Sequence, residues 1–182
     1  VGIRNTSRNT HPFLGAAGRP GPRHSDARRG MTASHKQPVS VLVVIHTAAL
    51  DVLLLERAAH PGFWQSVTGS REGSESLIDT ARREVLEETG IDTTMGQLVD
   101  WKLTNTFEIF DEWRHRYAPG VTHNTEHVFS LRLANRPAVV TTTPDEHRDW
   151  QWLPWTEAAE RCFSWTNRDA ILLLKKIPFS GT

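Results

Sequence analysis

Glu84, Glu87 and Glu88 stand three and four residues apart beside Arg83, and on a helix of 3.6 residues per turn carboxylates at that spacing crowd onto neighbouring surface. Each like-charged pair costs on the order of a few tenths of a kcal/mol. A cation removes that cost, and hard carboxylate oxygens with room for water suit Mg²⁺ or Mn²⁺ better than zinc. The chemistry such a cluster supports is metal-assisted attack by water, because carboxylates of this kind bring no nucleophile of their own. The competing reading is a solvated acidic face with Arg83 as a salt-bridge partner. The glycines that flank the segment, Gly69 and Gly90, have no explanation on that view. Arg83 reads as the group that orients one of the glutamates.

The surrounding residues specify a helix. Leu77, Ala81 and Val85 recur every fourth residue with Ile78 beside them, which gives one apolar face. Ser74 or Ser76 can cap the start, and Gly90 stands where a left-handed residue ends a helix. From Gly69 the stretch runs five residues to Glu75, seven more to Arg83-Glu84, then Val85, Glu87-Glu88, Gly90 and Ile91. This resembles the Nudix box at every specified position. One feature departs from the usual pattern: the turn glycine lies one place early, in Gly73-Ser74-Glu75. The resemblance implies an α/β fold, the Nudix α/β/α sandwich with a mixed β-sheet. It also implies hydrolysis at phosphorus with Mg²⁺ as cofactor, Mn²⁺ being possible, and with the metal on Glu84, Glu87 and Glu88.

Outside the box, Lys36 to Ile45, Phe63 to Ser70, Phe107 to Phe110, Arg114 to Thr122, Asn124 to Glu126 and Ser164 to Arg168 are similar to the branch of that family that acts on dihydroneopterin triphosphate. That likeness implies hydrolysis to dihydroneopterin monophosphate and pyrophosphate, in folate biosynthesis. Two other functions stay open: a house-cleaning (deoxy)nucleoside triphosphate pyrophosphohydrolase, and a non-catalytic Nudix-fold ligand sensor, against which the intact glutamates weigh. Glu146 in Asp145-Glu146-His147 resembles the family loop that supplies a further metal ligand or the base, and Glu126 is the second candidate for either role. Either acid is also readable as a surface residue. A triphosphate needs cations and a pterin needs flat surfaces. Arg57, Arg71, Arg114 and Arg116 are the phosphate candidates, and Trp64 and Tyr117 the stacking candidates, although most of the seven tryptophans belong to core or lid packing.

Elements must bring these residues together. Val39 to Ile45 and Val52 to Leu55 read as adjacent strands buried on both faces, followed by a strand over Trp64 to Thr68 that runs into Gly69. Leu98 to Phe110, Thr125 to Leu133 and Trp150 to Leu153 read as further strands, with a long functional loop from Asp111 to Asn124. Trp155 to Cys162 and Thr166 to Ile177 read as closing helices. The chain of 182 residues accommodates one Nudix domain over residues 36–182. Residues 1–35 read as a disordered or dispensable extension, with Met31 as the natural start favoured over an Arg-rich targeting segment. Residues 1–30 hold six arginines and one acid, whereas the remainder holds fifteen basic and twenty acidic residues. That acidic body points away from nucleic acid, and the partner that the resemblance implies is a small-molecule triphosphate. No apolar run approaches a membrane span. The single Cys162 cannot form an internal disulfide and fits a reducing, cytoplasmic setting. Oligomeric state leaves no trace in the sequence.

Overall fold

The central strand is β1 (Val39–Thr47), and its composition follows from its position. It runs parallel to β6 (His123–Leu133) over its whole length, from Val39 opposite Thr125 to Thr47 opposite Leu133. On its other side it pairs antiparallel with β4 (Val67–Ser70) at one end and with β2 (Asp51–Arg57) at the other. A strand with neighbours on both sides and helices on both faces must be apolar throughout, and Val41 to Ile45 are all buried. A computed structural model describes residues 35–140 and 145–177. Apart from His35, the extension expected over residues 1–35 therefore lies outside the described residues.

Two further strands extend β2, namely β3 (Trp64–Gln65) and β7 (His147–Pro154), while β5 (Gly96–Glu108) pairs with β6 at the opposite edge. The result is a mixed seven-stranded sheet. Alternate residues of β1 face opposite layers. Val41, Val43 and Ile45 pack with Leu53, Leu55, Phe129 and Leu131 under Ala81 and Val85 of helix α1 (Leu77–Thr89). Leu42 and Val44 pack with Leu54 and Val128 against Ala158 and Ala159 of α3 (Trp155–Arg161) and Ala170 and Ile171 of α4 (Trp165–Leu173). These are the layers of an α/β/α sandwich.

The expected strand over Trp64 to Thr68 is broken in two. Trp64 and Gln65 pair with β2, Val67 to Ser70 pair with β1, and the chain changes partner at Ser66. The Ser66 N–H donates to Asn167 Oδ1 at 2.7 Å, so α4 satisfies the group that the sheet leaves free. β7 begins three residues before the expected Trp150, and α4 closes at Leu173 with a 3₁₀ turn over Leu174–Lys176. The loop expected from Asp111 contains a one-turn helix, α2 (Asp111–Arg114). Ser76, rather than Ser74, caps α1, its side chain accepting from the Asp79 N–H at 3.3 Å. Gly90 ends the helix with φ of 69°, and a Cβ there would also meet Val140 O at 2.7 Å, so the position excludes other residues twice over.

Candidate active site

β4 delivers the chain to the edge of the site, and Gly69 allows α1 to lie against it. A Cβ at Gly69 would fall 1.8 Å from the carboxyl carbon of Glu84. In the following loop the Glu72 N–H donates to Glu75 Oε1 at 2.8 Å, and the Glu75 N–H returns to Glu72 O at 3.2 Å. Gly73 supplies the left-handed residue of this turn, φ 51°, so the early glycine still closes it.

Arg83 ties this loop to the helix. Its guanidinium donates to Glu75 Oε2 at 3.2 Å and Oε1 at 2.7 Å, to Ser70 O at 3.0 Å, to Glu84 Oε1 at 2.9 Å and to Glu87 Oε2 at 3.1 Å. The paired bonds from Arg83 hold the Glu75 carboxyl down to about 2. Glu87 is half exposed and lies on the arginine side of the helix.

Glu84 and Glu88 are buried. Burial, and then the neighbouring Glu88 charge, push the Glu84 carboxyl up to about 7. Burial also raises Glu88, against the opposing pull of His147. His147 Nε2 stands 3.3 Å from Glu88 Oε2. At that separation the oxygen has no partner in good hydrogen-bond geometry. Glu146, His147 and Glu88 place one ligand atom each within 4.8 Å of one another. Two buried carboxylates pushed toward protonation and an unpartnered buried oxygen form a donor set that fits a divalent cation.

Glu88 and Glu146 open onto a cavity of about 690 Å³, within the usual size of small-molecule sites. Arg57, Arg116 and Tyr117 line it, as do Glu88, Glu126 and Glu146. Lys36, which the sequence did not single out, lines it too; its N–H donates to Arg116 O at 2.9 Å. Burial and then Arg116 lower the ammonium of Lys36, and the same two causes lower Arg57. Glu146 offsets part of this charge on both, and three cations gathered in one cavity suit an anionic ligand.

Three expected contacts lie elsewhere. Arg71 is not in the cavity wall, and its Nε donates to Gln37 Oε1 at 2.9 Å. Arg114 is engaged by Glu108 at 2.6 Å, Asp111 at 2.9 Å and Ile109 O, because α2 turns it back onto β5. Trp64 is 5% exposed in the α3/α4 core, with Arg161 5.0 Å above its ring, and cannot stack on a ligand in the cavity. Flat surfaces come instead from Phe107, Phe110, Trp113, Phe163 and Trp165. His147 was missed as well, although its signal was its place beside Glu146. Glu84 and Glu87 are not in the close group with Glu88, and neither is Glu126, which sits on β6 opposite Ser40 of β1 and Asn105 of β5. Cys162 is half-buried, and burial pushes its thiol up to about 12, which leaves it inert.

The Nudix domain model matches residues 36–174. Over 140 residues the chain is 49% identical to the dihydroneopterin triphosphate diphosphatase of Escherichia coli (strain K12), covering 75% of this chain and 91% of that protein. It is 38% identical over 150 residues to the protein of the same name in Haemophilus influenzae, covering 81% of this chain and 93% of that one. The solved structure of the E. coli dihydroneopterin triphosphate pyrophosphohydrolase superposes with a TM-score of 0.71 at 47% identity, over 77% of this chain and 96% of that chain. A complete glutamate box on a buried helix, an α/β/α sandwich around it and a family model that spans most of the sequence lead to one conclusion: the chain belongs to the Nudix family.

Proposed function

We propose that this protein hydrolyses dihydroneopterin triphosphate to dihydroneopterin monophosphate and pyrophosphate. The carrying observation is that one cavity joins three cations, Lys36, Arg57 and Arg116, to the Glu88, Glu146 and His147 group and to aromatic walls. The two relatives that bear the diphosphatase name support the same substrate.

Glu88, with His147 beside it, would hold a divalent cation, Mg²⁺ or Mn²⁺, with Glu84 adding its charge from one turn earlier on α1, and Glu146 of the same group is left as the base. When bound, such an ion neutralises phosphate charge and lowers the pKa of a coordinated water. Lys36, Arg57 and Arg116 bind the phosphates and stabilise the charge that builds on the departing pyrophosphate. The oxygen of water forms the new bond to phosphorus, the bridging P–O bond breaks, and the proton of the water passes to Glu146 as base. Arg83 acts through other groups: it fixes the Glu75 loop against the helix and orients Glu84 and Glu87. Residues 36–182 form the working unit, with residues 1–35 dispensable, and the setting is cytoplasmic. Among the described residues no helix is long and apolar enough to cross a membrane.

The test is a panel that compares dihydroneopterin triphosphate with the four common nucleoside triphosphates and reads released pyrophosphate. The expected result is the highest kcat/KM on the pterin and none without divalent metal. A nucleoside triphosphate that outperforms the pterin would replace this reading with nucleotide house-cleaning, and inactivity on all five would restore the sensor.

A further inference from the structure

One buried carboxylate in the cavity has no part in the chemistry above. Glu126 is 4% exposed, yet it lines the cavity. It stands on β6 between Ser40 of β1 and Asn105 of β5, outside the close group of Glu88, Glu146 and His147. Burial raises its carboxyl, against hydrogen bonds from Asn105 and Thr166. Its hydrogen bond from Asn105 Nδ2 is long, at 3.4 Å. An ionised carboxylate has about four acceptor sites, so Asn105 and Thr166 leave acceptor capacity unused.

A second acceptor stands beside it. Asn124 precedes Glu126 by two residues on β6, and so shares its face of the strand. Asn124 is 4% exposed and lines the cavity; its Nδ2 donates to Ser40 Oγ at 2.7 Å, while its Oδ1 is buried without a partner. A buried carboxylate and a buried orphan carbonyl on one face need a ligand with adjacent N–H donors. Flat walls flank them: Phe107 is the register partner of Asn124, and Trp165 adjoins Thr166.

We infer that Glu126, with Asn124, reads the 2-amino-4-oxopyrimidine edge of the substrate ring, accepting from its ring N–H and exocyclic amino group. This deepens the pterin reading and rests on it. It gives Glu126 a role in specificity rather than in metal binding or as the base. Guanine carries the same edge, whereas adenine does not.

The experiment is kcat/KM for the native protein and Glu126→Gln on dihydroneopterin triphosphate, GTP and ATP with metal present. Gln keeps the volume but turns an amide donor toward the ring N–H. The loss expected on dihydroneopterin triphosphate and GTP is roughly ten- to a hundredfold, the scale of a hydrogen bond to a charged group, with ATP within about threefold of native. An equal fall on all three substrates would make Glu126 a metal ligand or base, and no change on any would make it a structural acid; either result overturns the inference. Should the variant fail to fold, binding of neopterin to the native protein in chelator, followed by pterin fluorescence, decides the matter. Tighter binding of neopterin than of its 2,4-dioxo counterpart supports the edge-reading, and equal binding overturns it. Failure of the substrate reading is separate, because it appears as native preference for ATP in the same assay.

Discussion

At the scale of single residues, the long loop separates two arginines that look interchangeable in sequence. Arg114 is held by two acids and a backbone carbonyl, whereas Arg116 lines the cavity with Lys36 and Arg57. Exposed ion pairs of the first kind contribute about 0–1 kcal/mol. A cation that meets a phosphate contributes more. Arg116→Ala is therefore expected to lower kcat/KM on dihydroneopterin triphosphate by roughly ten- to a hundredfold, with Arg114→Ala within about threefold of native. Steady-state kinetics on the two variants checks this, and equal losses would show that the loop acts as one structural unit. The two arginines differ because α2 closes Arg114 onto Glu108 and Asp111, while Arg116, just past the helix, reaches the cavity wall, and that turn has no sequence signal beyond a charged stretch. Glu84, Glu88 and Arg83 were legible because helical spacing alone places them together. Lys36, His147, Trp113 and Trp165 were not, because they meet only after strands and loops far apart in sequence converge.

At the scale of elements, the junction of β4 and α1 depends on an absent side chain. Glu84 lies where a Cβ on Gly69 would be, 1.8 Å from its carboxyl carbon, so even alanine must displace the carboxylate or the strand. The obstructing group is the tip of a side chain, which can rotate away, and the fold should survive. Gly69→Ala is expected to leave a cooperative thermal transition within a few degrees of native, while kcat falls by roughly two orders of magnitude or more as a charge beside the metal site is misplaced. Circular dichroism melting together with kinetics separates the two effects; retained activity would show that Glu84 is free to shift without consequence. Gly69 and Gly90 were legible as fixed points of the box, and the helix between them followed from its period and its serine cap. The broken strand at Ser66 was not. A run of alternating residues carries no mark of the point where it changes partner, and the bond that stabilises the break comes from Asn167, 101 residues away.

At the scale of the whole molecule, the two buried carboxylates of the site tie stability to pH. The folded state raises Glu84 from an ordinary 4.5 to about 7, and raises Glu88 in the same direction. A carboxyl whose pKa is higher in the folded state binds more protons there than when unfolded. Its contribution is fully present below about pH 4.5 and is lost as pH rises through about 7. Glu75 has the opposite sign: held at about 2 by Arg83, it contributes above about 4.5 and loses that contribution only as pH falls toward 2. Between pH 5 and 8 the buried pair therefore governs the slope among these three acids, and the metal-free protein should lose thermal stability across that window. A divalent cation at a hundred times its Kd adds about 2.7 kcal/mol, or roughly 5–10 °C in Tm for a domain of this size. The gain should be larger at pH 8 than at pH 5, because protons compete for the same oxygens. Glu88→Gln removes one charge and one ligand together, so it should flatten the metal-free pH profile, keep or raise stability in chelator, and abolish the metal-induced rise. Melting curves of both proteins, with chelator and with Mg²⁺ at pH 5 and pH 8, test each arm. A native Tm that is unchanged by pH in chelator and by metal would show that these carboxylates carry no unmet charge, and the cation would have to bind elsewhere.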